Sequence, residues 1–112
     1  MNESEFRKFA LENDFSDPEL KSLPANKFFD PHTHIEDLII LIKSGKFIVN
    51  TTSKVQEFED GDMCTVKAGI EHTDQVGNDG VEYWSAWGNT KKNQLVILDL
   101  ISCSETYSQI CG

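Results

Sequence analysis

Turn-forming residues interrupt this chain at short intervals, and that spacing limits it to short elements. Residues 43–46, 51–53, 60–62, 68–70, 77–80 and 88–93 each carry Gly, Asn, Asp or Ser. The intervening segments 38–42, 47–50, 54–59, 63–67, 81–87 and 94–101 are strand-sized. Regularly spaced short strands of this kind build sandwiches and barrels. The run Leu38-Ile39-Ile40-Leu41-Ile42 has no polar alternation, so it reads as a strand buried on both faces. The pairs 43–46 and 77–80 read as hairpin turns, the second through Gly77-Asn78-Asp79-Gly80. Pro18, Pro24 and Pro31 keep 14–31 at an edge, with a short strand over 19–23 and another starting at Phe28 and Phe29.

The start differs. Asn2 with Glu5 three residues on forms a capping box, and Phe6, Phe9 and Ala10 recur at helical spacing. A helix over 3–13 follows, covering one sheet with its Phe face. The fold class is therefore all-β, an antiparallel barrel with a short N-terminal helix. Residues 1–112 form one domain: helix in 1–14, barrel over 15–101, polar tail over 102–112.

Composition removes several function classes. The net charge is −9, from 19 acidic against 10 basic side chains. Such a surface repels phosphate backbones, so nucleic acid is not the expected partner. No apolar run approaches the ~20 residues a membrane helix needs. The opening Met1-Asn2-Glu3-Ser4-Glu5 is too polar for a secretion signal, which points to the cytoplasm. Cys64, Cys103 and Cys111 are irregularly spaced and are expected as reduced thiols. Cys64 reads as a small core residue, with a fourth metal ligand as the rarer reading.

The chemistry concentrates in the three histidines. In a strand, residues two apart share a face, so His32 and His34 present their rings side by side. His72, delivered by the turn at 68–70, can supply a third imidazole. Three neutral imidazoles suit a divalent transition metal: Fe, Zn, Ni, Mn or Cu. The alternative is three rings bonded to one another or to water.

These residues also resemble the cupins. The first cupin motif, G-x5-H-x-H-x(3,4)-E-x6-G, is matched by His32, His34 and Gly45, with Asn26 and Leu38 at the first glycine and the glutamate. The second, G-x5-P-x-G-x2-H-x3-N, is matched by Gly61, Gly69 and His72, with Lys67 and Val76 at the proline and the asparagine. The resemblance, closest to small single-domain bacterial cupins, implies a jelly-roll barrel, a mononuclear metal on His32, His34 and His72, and a homodimer.

Leucine at position 38 cannot ligate, which leaves open metal positions of the kind that catalysis or an anionic ligand needs. Glu36 and Asp37 are the nearest acids. They are candidates for a general base, for a metal ligand, or for accepting an N–H from a ligating histidine. Tyr83, Trp84 and Trp87 could line the barrel mouth, although only one parity of that strand faces inward. Two functions follow: a metal-dependent enzyme with dioxygenase-like, hydrolytic or isomerase chemistry on a small molecule, or a non-catalytic module that binds or senses a small ligand.

Overall fold

The computed structural model describes residues 1–88. The strand expected over 94–101 and the tail over 102–112 lie outside the described residues. The elements are α1 (Glu3–Glu12), β1 (Glu19–Leu23), β2 (Phe28–His32), β3 (Asp37–Asn50), β4 (Val55–Phe58), β5 (Met63–Val66) and β6 (His72–Gly88).

Helix α1 forms where its capping box predicts. The Asn2 side chain accepts from the Glu5 N–H, and the Glu5 carboxylate accepts from the Asn2 N–H, both at 2.9 Å. Phe6 and Ala10 are fully buried, and Phe9 stacks on Phe15.

All strand pairs are antiparallel, and β3 and β6 are the frame. The first half of β3 pairs with β5 and the second with β4. The first half of β6 pairs with β2 and the second with β1. Together the two long strands carry the chain from one wall of the jelly roll to the other. Among the described residues the sheet does not close, since its hydrogen-bonded path runs β1-β6-β3-β4.

Here the sequence reading needs correcting. Residues 43–46 and 77–80 are not hairpin turns, because β3 and β6 run straight through them. The register shifts between Ile42 and Ser44 and again between Gly45 and Phe47, so the corner is a pair of bulges. Gly45 (φ 93°) and Gly80 (φ 79°) meet there so closely that a Cβ on Gly45 would collide with the Gly80 carbonyl. Glycine thus serves to bend two continuous strands rather than to reverse either one.

The register also decides which residues face inward. Leu38, Ile40 and Ile42 lie opposite Trp87, Ser85 and Tyr83 on one face. Ile39 and Leu41 lie opposite Ala86 and Trp84 on the other, where Arg7 of α1 sits 4.7 Å over the Trp84 ring. Both faces are covered, and residues 37–42 are all buried as the unbroken apolar run requires. Trp87 therefore faces the interior, and Trp84 faces the helix.

Candidate metal centre

The site is assembled by one strand pair and one turn. His32 lies directly across from His72 in the β2–β6 ladder. Beyond His32 the chain leaves the ladder and brings His34 alongside. Ring centroids are 4.3 Å apart for His32–His72, 5.0 Å for His32–His34 and 5.1 Å for His34–His72. One nitrogen from each ring falls within 4.8 Å of the other two, so the group could hold a metal ion.

The turn before β6 fixes this arrangement. Ile70 N–H donates to the Lys67 carbonyl across Ala68 and Gly69, and Gly69 takes φ 81°. Gly69 N–H donates to the His34 carbonyl (2.9 Å), and Ala68 N–H donates to Asp37 Oδ1 (2.9 Å). The turn thereby ties together His34, the start of β3 and the approach to His72.

Backbone carbonyls set the ring orientation. His32 Nδ1–H donates to the Asp30 carbonyl (2.6 Å), and His72 Nδ1–H donates to the Ile70 carbonyl (2.9 Å). With Nδ1 engaged in this way, Nε2 of each ring is the nitrogen left for a cation. His72 Nε2 is buried and has no hydrogen-bond partner. An orphaned buried acceptor is costly, and a bound cation removes that cost. The residues present therefore fit a transition metal. Burial, reinforced by the charges of His72 and His32, pushes His34 down to about 4, so it is a neutral donor at neutral pH.

The acids are arranged differently from expectation. The chain bends after His34, so strand parity does not carry over to Glu36 and Asp37. Neither belongs to the histidine cluster. Glu36 is exposed, and Asp37 is fully buried with its carboxylate on Ala68 N–H. The Nδ1–H groups of His32 and His72 donate to main-chain carbonyls.

The acid that does approach the rings is Asp74, which the sequence reading passed over. Its Oδ2 is 3.3 Å from His32 Nε2 and 3.7 Å from His72 Nε2. Burial pushes the Asp74 carboxyl upward, partly opposed by His72 and His32. The available signal was parity: Asp74 is two residues after His72 on one strand and shares its face.

Cys64 also departs from expectation. It is buried opposite Ile40 but is disulfide-bonded rather than a reduced thiol. A sulfur so engaged is not a thiolate ligand.

The cluster opens at His34. A cleft of about 400 Å³ is lined by Thr33, His34, Ile35, Glu36 and Trp87. The Trp87 ring meets His34 edge-on at 5.0 Å. Ser16 fixes the Trp87 backbone, since its N–H donates to the Trp87 carbonyl and its Oγ accepts the Trp87 N–H. Leu38, at the position of the cupin glutamate, lies opposite Trp87 in the β3–β6 ladder.

Comparison with known proteins agrees with this architecture. The family described as AraC-like ligand binding domain matches residues 21–86. A structural-genomics protein from Rhizobium leguminosarum superposes with TM-score 0.61 at 12% identity, covering 64% of this chain and 68% of that one. A cupin superfamily protein from Desulfitobacterium hafniense gives 0.55 at 14% identity, covering 64% and 65%. A predicted oxalate decarboxylase from Thermotoga maritima gives 0.57 at 24% identity, covering 73% of each chain. At these identities the likeness is one of fold. A search of curated proteins finds no match.

Proposed function

The chain belongs to the AraC-like ligand-binding domain family, and on that premise we propose that it is a small cupin that captures a small anionic molecule at a divalent metal held by His32, His34 and His72. The observation that carries this reading is the convergence of three imidazoles with two Nδ1 atoms committed to main-chain carbonyls. A bound metal would act as a Lewis acid toward an oxygen of the ligand. The chain's own part is recognition. Trp87 and Ile35 give the ligand an apolar wall, and the cleft beside His34 gives it entry. The formal charge of −9 makes the metal the natural attractor for an anion on an otherwise repelling surface.

The test is a melting curve of metal-loaded and metal-stripped protein against a panel of small carboxylates that includes oxalate. A ligand at a hundredfold its Kd stabilises by about 2.7 kcal/mol. The reading predicts a rise in Tm that requires both metal and carboxylate. No shift across the panel with metal bound would remove the ligand assignment.

A catalytic version rests on Glu36, which stands at the mouth of the same cleft, where a carboxylate could take a proton from a bound molecule. It predicts turnover by the metal-loaded protein: loss of oxalate, or oxygen uptake by the Fe(II) form with small thiols, diketones or phenols. Glu36→Gln should abolish turnover and leave ligand-induced stabilisation intact. Binding without turnover across that panel would leave the non-catalytic module.

A further inference from the structure

We infer that Asp74 is a fourth protein ligand, supplying from β6 the carboxylate that Leu38 cannot supply from β3. The inference rests on the metal-site reading above and deepens it. His72 and Asp74 are alternate residues of one strand, and both are buried. Asp74 Oδ2 approaches Nε2 of both His32 and His72, at 3.3 and 3.7 Å. These are the nitrogens that the Nδ1 bonds to carbonyls leave free for a cation. The opposite nitrogens, where a merely orienting carboxylate would sit, are already occupied by the Asp30 and Ile70 carbonyls. Asp74 is therefore on the metal's side of the rings.

Asp74 stands beside the group formed by His32, His34 and His72 rather than within it, and its distances to His32 and His72 suit a shared cation. With zinc–nitrogen and zinc–oxygen bonds of about 2.0–2.1 Å, neighbouring donors of a tetrahedral shell lie about 3.3–3.4 Å apart. The Asp74 carboxylate and the two Nε2 atoms approach one another closely enough to share a cation. Asp74 Oδ1 is also buried without a hydrogen-bond partner, as is His72 Nε2. A proton on one imidazole would satisfy a single contact, whereas a metal ion satisfies several together. The resulting three-histidine, one-carboxylate set lowers the charge of the centre by one relative to three histidines alone.

The probe is Co(II) added to metal-stripped wild type and to Asp74→Asn, followed by calorimetry and visible absorption. Wild type should bind one Co(II). The variant should bind at least about tenfold more weakly, with shifted ligand-field bands. A band shift marks a changed donor set, which a purely structural role for Asp74 would not produce. Equal affinity and an unchanged spectrum would overturn the assignment of Asp74 while leaving the histidine site standing. Absence of Co(II) binding by wild type would remove the metal reading itself, and Asp74 with it. The melting temperature of the stripped variant controls for folding. A second measurement needs no variant: the infrared difference spectrum on adding Zn(II) to wild type with carboxyl-labelled aspartate. A shifted aspartate carboxylate band is expected, and none would again overturn the assignment.

Discussion

His34 carries a pH dependence of its own. Burial comes first among the causes that push it down to about 4, against an ordinary value of 6.5. Between those values the unfolded chain binds a proton at this ring and the folded chain does not. Its contribution to stability is thus fully present above about pH 6.5 and is lost as pH falls through about 4. Melting curves of metal-stripped protein should show Tm falling over this window, and His34→Gln should flatten the fall. Equal slopes for the two proteins would contradict the assignment. Gly45 is the other residue with a sharp expectation. Its φ of 93° and its contact with the Gly80 carbonyl leave no place for a methyl group. Gly45→Ala should cost about 2 kcal/mol or more, read from urea denaturation.

At the level of elements, α1 closes one face of the sheet. Phe6→Ala should lower stability by about 3–5 kcal/mol, because a fully buried ring leaves a cavity beneath the helix. Urea midpoints for the two proteins measure this directly. Most of the elements were legible in the sequence: the capping box gave α1, the prolines framed β1, and the apolar run gave the doubly covered half of β3. The two corners were not. Gly, Asn and Asp relieve backbone crowding equally well in a reversing turn and in a bulge that bends a strand, and only the partner strand distinguishes them. The histidine spacing was legible because alternation along a strand and a tight turn are local. Asp74 was missed although the same alternation pointed to it. Glu36 and Asp37 are beside Leu38 in sequence, whereas the carboxylate that approaches the rings comes from the strand carrying His72.

Across the whole molecule, the hydrogen-bonded path among the described residues ends on β1 and β4. An uncovered sheet edge invites pairing across a two-fold axis, and on that argument a homodimer is the expectation. Light scattering at micromolar concentration is expected to give twice the chain mass, and a monomer throughout would count against it. Among the described residues no helix is long and apolar enough to cross a membrane. The whole reading converges on the space between His32, His34 and His72. Elemental analysis of protein purified without a histidine tag tests it most directly. The account predicts a single transition-metal ion per chain, lost in each of His32→Ala, His34→Ala and His72→Ala. Metal-free wild type that takes up no ion on reconstitution, or alanine variants that keep the full complement, would contradict it.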